Sequence, residues 1–156
     1  NGRLHRGRHG LGGEFGYMTT LAPAEKLNNW SQLASTGNMV RYVIEKSDRT
    51  DWDGRKIYQE AATGNALCQE AIERMNRNLA QGLLNIQYLI DPDVISLGGS
   101  ISQNPEFIQG VKKAVDDFVE TYEEYTVAPV IQVCTYHADA NLYGALVNWL
   151  QEENQW

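Results

Sequence analysis

Between Leu67 and Ile90 apolar residues recur at Leu67, Ala71, Met75, Leu79, Leu83, Ile86 and Ile90. Steps of four and three residues lay one stripe along a single long helix, so the rest of the chain must pack around that stripe. Asp91-Pro92-Asp93 ends the helix, because the residue before a proline is pushed out of helical dihedrals. Val94-Ile95-Ser96-Leu97 then reads as a short buried strand closed by Gly98-Gly99-Ser100. Asn104-Pro105 opens a second helix, with Asn as N-cap and Pro at the first helical position. Phe107, Ile108, Val111, Ala114, Val115, Phe118, Val119 and Tyr122 form its apolar face, and Asp116, Asp117, Glu120, Glu123 and Glu124 much of its wet one. After Pro129, Val130 to Cys134 forms a second core strand. Asp139 is placed to cap a final helix with Leu142, Leu146, Trp149 and Leu150 on one side. Helix, strand, helix, strand, helix is an α/β order, in which the two strands run parallel through a right-handed crossover over 104–124.

Upstream, Ser31 is a plausible N-cap for a helix reaching Lys46, with Leu33, Ala34, Met39, Val40, Val43 and Ile44 at helical separations and Gly37 as a weak point. Residues 47–54 are a polar loop and 54–62 a short amphipathic helix stopping before Gly64. The first 21 residues hold six glycines. They read as a strand pair: Arg3-Leu4-His5 extended, a glycine-dense loop from Gly10 to Gly16, and a β-prone run from Phe15 to Leu21. Glu14 stands among Gly10, Gly12, Gly13 and Gly16, where a ligand can approach the backbone closely. It is a candidate ligand contact or a cap for its own turn.

The formal charge is −7, and all of it comes from residues 79–156, which carry eleven acidic side chains against two basic ones. That balance argues against broad nucleic-acid binding by this chain; nucleic acid is expected as a partner only where a helix-turn-helix lies upstream. Arg3, Arg6 and Arg8, flanked by His5 and His9, read as a solvated edge or an anion attractor. Cys68 and Cys134 read as buried thiols of a reduced, cytoplasmic protein, and the scattered histidines do not make a metal cluster. The hydrophobic residues never run long enough to span a membrane. An opening at Asn1 rather than Met is what a piece of a larger protein would show.

In open α/β sheets ligands gather beyond the carboxyl ends of the strands. Gly98-Gly99-Ser100 lies at such an end, with the helix N-terminus at Pro105 just beyond. A bare tight turn is the alternative, and neither a P-loop nor a Gly-x-Gly-x-x-Gly fingerprint follows a strand here.

Taken together, Gly12-Gly13-Glu14-Phe15-Gly16-Tyr17, the run Asp91 to Ser102 and the closing Ala140-Asn141-Leu142-Tyr143-Gly144-Ala145 resemble the C-terminal part of ROK-family proteins, a family of sugar kinases and sugar-responsive repressors. The likeness keeps the same order across nearly the whole chain. It implies an α/β fold, the second (C-terminal) lobe of an actin-like, ribonuclease-H-like ATPase, with residues 1–156 as that lobe. It also implies that the first phosphate loop and the aspartate acting as base on the sugar belong to an N-terminal lobe outside this sequence. Phosphoryl transfer depends on positioning between two lobes, so this chain alone is expected to be inactive.

By the resemblance, Glu14 matches a sugar-hydroxyl ligand, and Gly98, Gly99 and Ser100 match an adenosine-side motif. Two positions depart from the pattern. Tyr17 stands where many members have a histidine that touches sugar and ligates zinc, and Ser31 where another sugar-contacting glutamate is frequent. Residues 22–30 also lack the family's cysteines, which implies a member without structural zinc. Tyr17 either stacks on a sugar or donates its hydroxyl, or packs behind Glu14. The implied activity is an ATP-dependent hexose kinase with Mg2+ held mainly by the other lobe. The competing readings are the sensing domain of a ROK repressor, which carries a helix-turn-helix upstream, and a degenerate member kept for dimer contacts. The resemblance also implies a homodimer.

Overall fold

The computed structural model describes residues 4–20, 28–122, 124 and 127–154. The long helix is its axis. α4 (Ala66–Ile90) buries Cys68, Ala71, Met75, Ala80, Leu83, Leu84 and Ile86. Its N-cap Asn65 accepts hydrogen bonds from the backbone N–H groups of Leu67 and Cys68, and Asp91 closes it in the left-handed region at φ 49°. Around it pack α2 (Thr36–Lys46), α3 (Gly54–Ala62) and α5 (Pro105–Thr121). They contribute Met39, Val43, Ile57, Phe107, Val111, Ala114 and Val115 to one core with α4. Burial of this apolar set holds the layers together. α5 starts as the sequence predicts, with Pro105 at its first position and Asn104 Oδ1 accepting from the Glu106 N–H at 3.0 Å.

The two strands at the edge of this helical layer are β3 (Ile95–Leu97) and β4 (Ile131–Val133). They are parallel, with Ile95, Ser96 and Leu97 opposite Ile131, Gln132 and Val133, and α5 lies between them in the chain. β3 is only half-buried rather than a core strand, and Val94 is exposed. Cys134 is half-buried while Cys68 is fully buried, and both are free thiols. α6 (Ala140–Asn154) packs chiefly on the 3-10 turn His137–Asp139 before it. Leu142, Leu146, Trp149 and Leu150 all remain exposed along it. No helix among the described residues is long and apolar enough to cross a membrane.

The first third departs most from expectation. The predicted strand over Phe15–Leu21 is mostly a 3-10 turn, Phe15–Tyr17, closed by N–H groups of Tyr17 and Met18 donating to the carbonyls of Glu14 and Phe15. Gly13, at φ 92°, delivers the chain into that turn in a conformation closed to other residues without strain. Only β1 (Thr19–Thr20) is extended, and it pairs antiparallel with β2 (Asn28–Asn29), not with the stretch around Leu4. Arg3, Leu21 and the cysteine-free segment through Lys26 and Leu27 fall at least partly outside the described residues, as does Glu123 of the predicted wet face.

The helix expected from Ser31 to Lys46 is two helices. α1 (Trp30–Leu33) is capped by Asn29, whose side chain accepts from Gln32 N–H while Gln32 Oε1 accepts from Asn29 N–H. Ser35 then turns extended, at φ −95° and ψ 152°, and its Oγ caps α2 through Asn38 N–H. Ser31 is therefore inside α1 and caps nothing. The break lets Trp30 reach α4, where its indole N–H donates to the Asn78 carbonyl at 2.7 Å. Arg6, read as part of a solvated edge, instead holds Asn148 and Glu152 of α6.

Candidate functional site

Two clefts meet at the start of α2. The smaller, of about 410 Å³, is lined by Glu14, Gly16, Tyr17, Asn29, Ser31, Gln32, Ser35 and Arg41. Glu14, Tyr17 and Ser31, singled out in separate stretches of sequence, thus come to one place. The reason is local. Glu14 sits at the N-cap of the turn Phe15–Tyr17 and Tyr17 ends it, three positions on, and a Cβ on Gly16 would lie 3.3 Å from the Ser31 Cβ, so the turn rests directly on α1. The Trp30 N–H donates to the Met18 carbonyl at 2.7 Å, which fixes the same contact from the backbone side. Tyr17 is 71% exposed and does not pack behind Glu14.

Several polar groups in this cleft are already committed. Asn29 and Gln32 cap α1, and Ser35 caps α2. The side chains of Glu14, Tyr17, Ser31 and Arg41 have no hydrogen-bond partner among the described residues. One carboxylate, one guanidinium and two hydroxyls, together with the amide NH2 groups of Asn29 and Gln32, can meet a polar ligand. Arg41 was not foreseen from the sequence. It lies six residues beyond the Ser35 cap, and only the break at Ala34–Ser35 turns it toward the cleft.

The larger cleft, of about 800 Å³, lies between α3 and the entry to α5. Thr36, Gly54, Arg55, Tyr58, Gln59 and Ala62 form one wall, and Ser100, Ile101, Gln103, Asn104 and Glu106 the other. Positions 55, 58, 59 and 62 sit three, one and three residues apart, the spacing of one helix face, so the wall was available to a periodicity reading. The two helix starts touch here: a Cβ on Gly54 would fall 2.8 Å from Thr36 Cγ2.

Of the three predicted positions at the end of β3, Ser100 lines this cleft, while Gly98 and Gly99 shape the turn that delivers it. Gly99 adopts φ 82°, and its N–H donates to the His137 carbonyl at 3.0 Å. A Cβ on Gly98 would sit 3.3 Å from Cys134 Sγ. Ser102, buried, locks the turn by donating its hydroxyl to the Gly99 carbonyl at 2.7 Å. Gly99 is therefore favoured by its left-handed backbone, and Gly98 by its close packing on Cys134.

Tyr58 is the anomaly in the larger cleft. It is 8% exposed, and its hydroxyl is buried without a partner among the described residues. Burial first, and the Glu106 carboxylate second, push its phenol well above the ordinary range, so it is a neutral O–H. An orphaned buried hydroxyl costs about 1–3 kcal/mol unless something pairs with it. Among the described residues no group of three or more His, Cys, Asp or Glu side chains is placed to hold a metal ion.

The sequence profile of the ROK family matches residues 1–152. Over 160 aligned residues the chain is 31% identical to a beta-glucoside kinase of Listeria monocytogenes, covering 99% of this chain and 52% of the kinase. It superposes with a TM-score of 0.94, at 93% identity, on a ROK family protein from Streptococcus pneumoniae TIGR4 solved in complex with sucrose, covering 100% of this chain and 54% of that one. A ROK family glucokinase from Streptomyces griseus, solved with glucose and AMPPNP, shares the fold at a TM-score of 0.74 and 22% identity, covering 92% of this chain and 53% of the glucokinase. The architecture is thus the α/β fold of the actin-like ATPases. The chain spans about half the length of the relatives it matches.

Proposed function

The chain belongs to the ROK family, and we propose that it is the C-terminal lobe of a carbohydrate kinase that moves a phosphoryl group from ATP to a hydroxyl of a hexose or hexose derivative. The observation that carries this reading is the convergence of Glu14, Tyr17 and Ser31 on one cleft, beside a second cleft that contains Ser100. Support comes from the relatives: the 31% identical protein is a beta-glucoside kinase, and the 93% identical one was solved with sucrose.

In this reading the smaller cleft takes the sugar. The Glu14 carboxylate, an acceptor only, receives hydrogen bonds from two neighbouring hydroxyls, and charge-assisted bonds of this kind are worth about 1.5–3 kcal/mol each. They orient the ring, and Tyr17 offers an exposed aromatic face or its hydroxyl. The larger cleft takes the nucleoside. Its fit rests on the orphaned Tyr58 hydroxyl and on the amides of Gln59, Gln103 and Asn104, which match the mixed donors and acceptors of a base and a ribose. ATP supplies the phosphoryl group, with Mg2+ expected to be held by the other lobe. This chain binds and orients both partners, while the base on the sugar hydroxyl and the phosphate loops come from the rest of the protein. The exposed apolar residues of α6 support such a second body, since patches of this kind are rarely left bare. A homodimer and a cytoplasmic location belong to the same reading.

The test is sugar-dependent release of ADP by the full-length protein, assayed across hexoses and glucosides. Turnover with one of them is the expected result. Tight sugar binding without any phosphoryl transfer would instead favour a sugar-sensing role.

A further inference from the structure

Glu14 and Arg41 carry opposite charges into the same cleft, yet neither side chain has a partner among the described residues. Two such groups in a space of about 410 Å³ close on each other unless the scaffold holds them apart. No ion pair forms between them among the described residues: Glu14 opens the turn Phe15–Tyr17, and Arg41 comes from α2, a different element with its own cap at Ser35. The side-chain oxygens of Asn29, Gln32 and Ser35 are engaged by helix caps. The cleft therefore offers a pure acceptor at one place, a fork of donors at another, and the hydroxyls of Tyr17 and Ser31 as further polar contacts. A polyol can satisfy both, its hydroxyls donating to the carboxylate and accepting from the guanidinium.

We propose that Glu14 and Arg41 mark two subsites: one glycosyl ring is held at Glu14, and the second ring of a glucoside or disaccharide is held by Arg41. The inference deepens the sugar-kinase reading and rests on it. Arg41 acts here as a specificity-determining residue. The planar guanidinium fixes hydroxyl pairs in a geometry that an ammonium cannot reproduce. The exposed ring of Tyr17 supplies a flat apolar surface next to the first subsite.

Calorimetry on the full-length protein tests it, with glucose as the one-ring probe and cellobiose and sucrose as two-ring probes. Arg41→Gln is expected to lower the ratio of disaccharide to glucose affinity about tenfold, the loss of one hydrogen bond to a charged group. Arg41→Lys should recover only part of that loss. Glu14→Gln should weaken both classes of sugar. If Arg41→Gln leaves the ratio unchanged while Glu14→Gln still weakens glucose, the second subsite is overturned and the sugar cleft stands. If Glu14→Gln leaves every sugar affinity intact, or the wild-type protein binds none, the cleft assignment fails and the inference falls with it. Nucleotide affinity, measured on the same samples, reports that the variants are folded.

Discussion

Trp30 lies against Gly82 so closely that a Cβ on the glycine would fall 2.0 Å from the indole ring. The contact seats α1 on α4, and Ser31 follows Trp30 in the chain, so the position of the smaller cleft depends on a residue with no side chain. Gly82→Ala forces the indole out, and overpacking of this kind costs about 1–3 kcal/mol. Denaturant unfolding followed by tryptophan fluorescence should show that loss, together with weaker sugar binding. A variant as stable as wild type would mean that the packing is not as close as described.

Glu14→Gln keeps the shape of the side chain and removes its charge. Replacing charge-assisted hydrogen bonds by neutral ones is expected to weaken sugar binding in the full-length protein about 10-fold or more. The nucleotide, proposed to bind in the other cleft, should bind almost as before. Equal losses for sugar and nucleotide would count against a sugar-ligand role.

Tyr58→Phe removes the hydroxyl without changing the ring. Without nucleotide the variant should be more stable by about 1 kcal/mol, because a buried group with no partner is gone. With nucleotide it should bind several-fold more weakly, since the hydroxyl is then the group that pairs. Calorimetric binding and thermal unfolding of the same preparation separate the two effects. A destabilised apo variant would show that the hydroxyl already has a partner.

Asp51 gives the pH dependence. Arg49, at 3.1 Å, and Lys56 hold its carboxyl well below the ordinary carboxylate value of 3.8. A depressed folded pKa adds stability above the unfolded value and loses it as pH falls toward the folded one. The stability difference between wild type and Asp51→Asn should therefore be steady above about pH 5 and shrink in more acid solution. Asp51 and Arg49 are exposed and Lys56 is partly so, and the difference should therefore be small and should fall with added salt. A difference that grew as pH fell would contradict the sign.

The long helix, α5 and the parallel strands were legible because burial writes itself into sequence as periodicity, and because Asn104-Pro105 and Asp91-Pro92 punctuate it. The break at Ala34–Ser35 was not. Apolar spacing from Leu33 to Ile44 continues across it, and only the docking of Trp30 on α4, a contact 52 residues away in the chain, reveals why the helix must stop. The same continuity makes Ser31 look like a cap, where the structure has Asn29. Glu14 stands out as a candidate because glycines crowd around it and because it matches a sugar ligand in the ROK resemblance. Arg41 does not, since an arginine on a wet helix face looks the same in sequence whether it faces solvent or a cleft.

Ser35 and Thr36 are neighbours in the chain, yet Ser35 lines the smaller cleft and Thr36 the larger. The first turn of α2 is a partition between the two clefts, and in the proposed reading one ligand lies on each side of it. If a ligand shifts that turn, its effect cannot be confined to its own compartment, and linkage makes the exchange mutual: the factor by which sugar alters nucleotide affinity is the factor by which nucleotide alters sugar affinity. If sugar and nucleotide bind as proposed, a wall one residue thick is also the shortest route for cooperativity between them.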